Sequence, residues 1–529
     1  MNPAQLLARF DRISEAPDAI PRLRCFILDL AVRGKLVEQD PRDEPACELL
    51  KRIQAGRARL VKAGGKKKEP LPDFSDEDRP FELPHGWCWV RFGEIYSLEY
   101  GDNLPAEKRS NTGEYPVYGS NGIVGSHSVC FVKEPCIVVG RKGSAGALNL
   151  SVTEGSCVTD VAYYCIPPRE LNLMFSFKLF YTLGLDTLGK GIKPGLNRNE
   201  AYVLPLALPP LAEQHRIVAK VDELMALCDR LDAAQAERES RRDRLVAASL
   251  HSLNNGADGE AFCNHARFFL NCLPRLTTSL GNIQQLRQTI LSLAVRGQLV
   301  PQDPNDEPVS ELLKRIQAEK ARLVSDGKLR GNTIITPIEP EEGHFPIPAS
   351  WVCVQFGEIM ISRDGERIPV SKEERNQRKK VYDYYGASGV IDKIDGYLFD
   401  KPLLLIGEDG ANLINRSTPI AFIARGKYWV NNHAHVMDGI SGDFLQFIEL
   451  HINAIDLKPY VTGVAQPKMN QAKMNSIPIA LPPHAEQHRI VAKVEELIAL
   501  CDRMEAQLTT TQTESRHLLE AVLHEALSA

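Results

Sequence analysis

The side chains able to do chemistry come in groupings whose spacing falls short of a catalytic centre. Cys263, His265 and Cys272 are metal-ligand types. They lack a fourth ligand and the usual close cysteine pair, so buried thiols in a helical linker fit better than zinc. His433 and His435 would share one face of a strand, and a lone pair of that kind is usually structural. Glu213 with His215 recurs as Glu486 with His488. A catalytic pair is conceivable there, but repetition inside matched segments favours capping or subunit contact. The run GRKGSAG at 140–146 is followed by no Gly-Lys-Ser/Thr at the spacing a phosphate loop needs. The double prolines read Ile-Pro-Pro-Arg, Leu-Pro-Pro-Leu and Leu-Pro-Pro-His. An enzyme that methylates a flipped adenine needs Asn or Asp before such a pair and an aromatic after it. No glycine-rich strand-to-helix turn for a methyl donor is evident either.

The elements around these groupings are written twice. Residues 23–60 and 286–323 are identical at 28 of 38 positions, and 207–231 and 480–504 at 21 of 25. The stretches between the matched blocks are barely alike. A duplicated frame around two different middles is the organisation that any function must explain.

Each half opens with helical material. Pro3 starts a helix with Leu6, Leu7, Phe10 and Ile13 on one face. A helix over 22–33 stops at Gly34, with Leu286, Ile290, Leu293 and Gly297 as counterparts. The Asp-Pro turns at 39–45 lead into a helix over 48–60. GGKKKEPLP at 64–72 reads as a linker, as does GNTIITPIEPEEG in the second half. The middles hold short β-type runs separated by Gly, Asn and Ser: CWVRF, YPVYG, GIVG, CIVVG and DVAYYCI, then WVCVQF, VYDYYGASGVI, PLLLIG and TPIAFIA. A faint common skeleton joins Trp87 to Trp351, Phe92–Ile95 to Phe356–Ile359, Tyr118-Gly119 to Tyr385-Gly386, and Gly140 to Gly407. Both middles therefore read as one α+β fold with diverged loops.

A Leu-Pro-Pro turn then opens a long helix in each half. Ile217, Val221, Leu224, Cys228 and Leu231 step by 4, 3, 4, 3, and Ile490, Val494, Leu497, Cys501 and Met504 repeat the step. That is the spacing of a coiled-coil seam. Forty such residues span roughly 60 Å, which suits a spacer. Beyond Leu231 the helix turns polar (AAQAERESRRDR), a solvated stretch or a surface that a partner covers.

Composition bounds the class. The chain has 529 residues, 43% hydrophobic and 25% charged, with a formal net charge of −5. Residues 81–208 hold eleven Lys and Arg against twelve Asp and Glu. Charge alone therefore gives no support for nucleic-acid binding. The start has no apolar run fit for a signal peptide, and no stretch approaches a membrane span. Twelve cysteines without pairing rhythm fit reduced thiols in a cytoplasm.

The doubled LAVRG-x-LV-x-QDP-x-DEP blocks and the doubled LPP-x-AEQHRIVAKV-[DE]-EL blocks resemble the specificity subunit of type I restriction–modification enzymes, across almost the whole chain. The resemblance implies two globular target-recognition domains at 81–208 and 345–481, separated by two long antiparallel coiled-coil helices at 209–254 and 482–529, in a pseudo-two-fold repeat. Helical regions at 1–63 and 255–323 and linkers at 64–80 and 324–344 complete the layout. It implies that each domain reads half of a split double-stranded DNA site, that the helices set the gap, and that this chain does no chemistry. Two methyltransferase subunits and restriction subunits would join it. S-adenosylmethionine, ATP and Mg would sit on those partners, with no cofactor here and no membrane. A duplicated DNA-modifying enzyme and a coiled-coil scaffold without DNA are the alternatives. The missing catalytic motifs oppose the first and the two divergent middles the second.

Under that resemblance, base edges need donors and acceptors delivered by loops. The first domain offers Tyr118, Ser120 and Asn121; then Arg141, Lys142 and Ser144; then Lys190, Lys193, Asn197 and Arg198. The second offers Tyr385 and Ser388; then Asn412; then Gln466, Lys468, Asn470 and Gln471. The shared Asn197 and Asn470 fit a helix cap or a phosphate contact. The unshared Lys193, Gln466, Arg198 and Gln471 are better candidates for specific contact. Glu408-Asp409 replaces Arg141-Lys142, and a carboxylate there could accept from cytosine N4.

Overall fold

The structure, a computed structural model, describes residues 16–62, 71–72, 74–75, 78–188, 195–254, 259–327, 338, 346–463 and 466–528. The expected helix at Leu6–Ile13, the linkers at 64–70 and 331–343 (Ile338 excepted), Lys190 and Lys193 lie outside them. The chain forms two units: Met1–Arg238 with Thr511–Ala529, and Glu239–Thr510.

In the first unit, helices Ala19–Val32 and Ala46–Lys62 precede a sheet-rich module. Its first strand, Cys88–Arg91, pairs antiparallel with its last, Pro205–Leu208, so the module begins and ends side by side. Between them lie an antiparallel sheet in the order Glu99–Tyr100, Ala162–Cys165, Cys136–Gly140, Leu148–Ser151, and a three-stranded sheet built on the hairpin Tyr115–Gly119/Gly122–His127. The second unit repeats the plan. Val352–Gln355 pairs with Pro478–Leu481. One sheet runs Ile361–Ser362, Ala434–Asp438, Leu403–Gly407, Ala421–Ala424. The other is built on the hairpin Tyr382–Gly386/Gly389–Ile394 and gains an edge strand, Phe399–Asp400. Each hairpin has a bulge at the same step, Val117/Tyr118 and Tyr384/Tyr385. Two divergent sequences thus share one mixed α+β topology.

The repeated blocks recur because they touch each other. Glu213, at the start of the long helix Leu211–Asn254, is buried and accepts hydrogen bonds from Trp87 Nε1 at 2.9 Å and Gln39 Nε2 at 3.2 Å. Glu486, in His484–Ser528, accepts from Trp351 Nε1 and Gln302 Nε2, both at 3.1 Å. Burial raises the pKa of both carboxyls, opposed by those same hydrogen bonds. Arg216 pairs with Asp43 and Arg489 with Asp306. Gly34 and Gly297 sit at φ 68° and 70°, where a Cβ would stand 2.3 Å from Pro84 Cγ and 2.4 Å from Pro348 Cγ. Substituting Ala for Gly297 is expected to destabilise the second unit by about 2 kcal/mol, because both the left-handed backbone and the proline contact oppose a side chain. A denaturant titration reads this out.

The block helices also brace the modules. Lys320, itself buried, donates to the carbonyls of Gly357, Glu358 and Met360 at 2.9, 2.8 and 3.2 Å, closing the turn Phe356–Ile359. Arg57 does the same for Gly93 and Glu94.

The heptad positions are buried within their own units. Ile217, Val221 and Cys228 are buried in a core shared with Ile20, Ile27 and Ala31, and Leu224 packs against it. Ile490, Val494 and Cys501 likewise join Ile283, Ile290 and Ala294, with Leu497 and Met504 alongside. The apolar stripe lies in one core with the helical block and the module of its own unit. An apolar stripe specifies burial, not which helix supplies the partner face. Leu231, at the end of the stripe, is 39% exposed. The polar stretch that follows is largely exposed until Val246, Leu250 and Leu253 are buried against Phe269 and Leu276 in the second unit. The last turns of His484–Ser528 bury Leu519 and Val522 against Ala16 and Ala19 in the first.

Candidate nucleic-acid interface

Three loops meet at one end of each module. In the first, Leu196 N donates to Arg141 O at 2.9 Å, and Lys142 bridges to Gly195. A Cβ on Gly140 would lie 2.5 Å from Ser120 O, so the hairpin turn lies directly on the second loop. In the second module Met469 N donates to Glu408 O at 2.8 Å and Gly410 N to Pro467 O at 3.0 Å. A Cβ on Gly407 would lie 2.7 Å from Ala387 O. Sheet topology thus gathers residues far apart in sequence onto one surface.

At the centre of this surface the modules carry different chemistry. In the first, the Arg141 guanidinium lies 4.7 Å from the Tyr100 ring centroid and Arg198 4.6 Å from the same ring. Tyr100 packs on Tyr163 at 5.1 Å, whose hydroxyl donates to Leu196 O. Arg141 Nη1 donates to Asp160 O at 2.8 Å, and Arg198 Nη1 to Leu98 O at 3.1 Å. In the second module Asp364 stands eight residues after Phe356, as Tyr100 stands eight after Phe92. His435 faces Ile406 across the sheet as Tyr163 faces Val139. His435 Nδ1 lies 2.6 Å from Asp364 Oδ2 and Nε2 3.0 Å from Met469 O. Glu408 is clasped by Arg367 at 2.9 Å and Lys468 at 3.1 Å. A cation–π cluster in one module is an ionic network in the other.

His435 faces an acceptor at each ring nitrogen, which suits the doubly protonated imidazolium. Burial opposes that charge, but Asp364, the Met469 carbonyl and Glu408 outweigh it, and the pKa is raised from 6.5. The sign follows: stability from this group is complete below the unfolded pKa and is lost as pH rises through the raised folded value. The stability difference between the chain and its H435Q variant should therefore shrink as pH rises above neutrality, read by thermal melts. A difference that grows with pH would contradict the imidazolium.

The remaining expected residues are distributed as follows. Ser120 and Ser144 are half-buried, and Asn121 and Ser388 are exposed at the hairpin turns. Lys142 is exposed, its Nζ 3.8 Å from Asp160. Gln466 is exposed, and Gln471 Nε2 donates to Ser362 Oγ at 2.8 Å. Asn197 and Asn470 cap short helices, accepting from Asn199 N at 3.0 Å and Lys473 N at 2.9 Å. Other residues are engaged internally. Tyr118 is buried with its hydroxyl on Leu150 O. Tyr385 stacks on Phe422 and meets Tyr428 edge-on. Asn412 holds its own loop through Thr418 and Ser417. The Glu408 carboxylate, expected as a cytosine acceptor, is instead taken up by Arg367 and Lys468, because in a half-buried site a carboxylate needs paired cations. Tyr100 and Asp364 escaped the sequence reading. Their equal distance from the Phe-Gly-Glu-Ile turn was the available signal.

His433 precedes the strand Ala434–Asp438 that carries His435 and pairs with Asp409 at 2.7 Å, and His215 meets Asn172 at 2.9 Å. Among the described residues no group of three or more His, Cys, Asp or Glu could hold a metal ion, and no helix is long and apolar enough to cross a membrane.

Two sheet-rich modules of one topology, each displaying a loop cluster of its own chemistry beside a long helix, define a duplicated recognition protein. The comparisons specify which. The type I restriction modification DNA specificity domain matches residues 348–511. The EcoEI specificity subunit of Escherichia coli is 30% identical over 567 residues, covering 96% of this chain and 94% of that protein. The EcoAI specificity subunit of Escherichia coli is 31% identical over 561 residues, covering 96% and 94%. The chain belongs to the family of type I restriction enzyme specificity subunits. Among solved structures it is similar to a subunit of this kind from Thermoanaerobacter tengcongensis, with 16% identity, 85% and 98% coverage and a TM-score of 0.39.

Proposed function

We propose that each module reads one half of a bipartite DNA target, and that this chain performs no catalysis itself. The observation that carries this is the loop cluster built twice on one topology with different chemistry. One shared frame with two different surfaces is what two different half-sites require. The helical blocks and long helices dock two methyltransferase subunits and set the gap between half-sites. Restriction subunits join that assembly. S-adenosylmethionine, ATP and Mg act on the partner subunits, and the complex works in the cytoplasm. The near-neutral first module releases few counterions on DNA. Binding by the isolated chain is therefore expected to be weak and to fall with added salt in a mobility-shift titration.

The test is to purify the chain with its methyltransferase partner and methylate random DNA. Modification confined to one split sequence is the expected result. Activity of this chain alone, or methylation without sequence preference, would overturn the proposal.

A further inference from the structure

We propose that Arg141 and Arg198, held on the ring of Tyr100, read guanine in the half-site of the first module, with Tyr100 as their positioning residue. This rests on the DNA reading above and adds the base and the residues.

The argument begins with how the two guanidiniums are held. An arginine in solution samples many rotamers, and ordering it on DNA costs free energy. Here each guanidinium is fixed at two points, the face of Tyr100 and a backbone carbonyl, Asp160 O for Arg141 and Leu98 O for Arg198. A guanidinium resting on a ring keeps edge N–H groups for a ligand. One Nη1 of each is engaged by those carbonyls. Tyr100 is 48% exposed, so the cluster lies at the surface and not in the core. Two like charges gathered on one exposed ring repel each other, and an electronegative ligand relieves that repulsion. Guanine presents two acceptors, O6 and N7, on its major-groove edge, the pattern a guanidinium fork matches best.

The second module supplies the contrast. Asp364, Glu408 and Gln471 stand where Tyr100, Arg141 and Arg198 stand in the first. Its nearby Arg367 is spent on Glu408 and Asp364. The same site therefore presents no guanidinium pair, and the two modules cannot favour the same base there.

The experiment maps methylated sites for the complete chain assembled with its methyltransferase partner, in wild-type form and as R141A, R198A, R198Q, Y100A and Y100F. R141A and R198A should each reduce preference for guanine at one position of one half-site by about ten-fold or more. R198Q installs the residue of the second module and should move preference at its position toward adenine. Y100A should relax guanine preference at both positions, and Y100F should restore it, because the ring is what orients the arginines. The other half-site should stay unchanged, which also shows that the variants fold and assemble. Unchanged base preference in R141A and R198A, with the split target intact, would overturn the proposal alone. So would a uniform loss across all sequences, the signature of phosphate contacts. Absence of a split target in the wild-type complex would instead sink the DNA reading on which it rests.

Discussion

Replacing Glu486 by alanine is expected to destabilise the second unit by about 3 kcal/mol. The substitution leaves the indole N–H of Trp351 without its acceptor, at a carboxylate that is fully buried, while the Gln302 amide keeps the Gly297 carbonyl at 2.7 Å. It also removes an anion beside Arg489, which keeps Asp306. Glu486→Gln retains an acceptor oxygen and should cost about 1 kcal/mol. The coupling is the sharper quantity. In a double-mutant cycle with Trp351→Phe, roughly 1–2 kcal/mol should be shared between the two changes. Urea denaturation followed by tryptophan fluorescence measures it. Additive effects would mean that the indole and the carboxylate act independently, and the lock would lose its support. Glu213 with Trp87 and Gln39 should behave the same way in the first unit.

Seven residues inserted after Leu231, with seven more after Thr510, are expected to lengthen the gap in the DNA target by about three base pairs. Two turns add roughly 10 Å of helix, and B-DNA rises about 3.4 Å per base pair. Both insertion points lie in exposed stretches beyond the stripes buried against the helical blocks. Seven residues nearly preserve helical phase, so Val246 and Leu250 keep their inward direction. Methylation mapping should return both half-sites unaltered with a longer gap. Altered half-site bases, or an unaltered gap, would refute the spacer role.

Much of the frame was legible because its signals are local. The Leu-Pro-Pro turn and the 4, 3, 4, 3 stripe gave a long helix, found at Leu211–Asn254. The strands at YPVYG, CIVVG and PLLLIG stand at Tyr115–Gly119, Cys136–Gly140 and Leu403–Gly407. Leu148–Ser151 and the two-residue Cys157–Val158 were missed, since a short strand has little alternation to detect and is fixed by its neighbours. Asn470 as a helix cap was readable from its residue type. The fate of Glu408 was not, because Arg367 lies 41 residues away.

The sequence by itself determined the duplication, the long helices, the α+β character of the middles and the family. Each of these is carried by periodicity, composition or repeated words, which need no knowledge of what packs on what. Only the tertiary structure decided that the apolar stripe of each long helix is buried in the core of its own unit, with its own helical block. It alone showed that a glutamate, a tryptophan and a glutamine from separate segments form one lock. It also placed two arginines of one module, and a histidine and carboxylates of the other, at a single topological site. Those outcomes depend on which distant groups meet. An apolar stripe, a carboxylate or a guanidinium fixes what kind of partner is needed, and the fold alone chooses which residue supplies it.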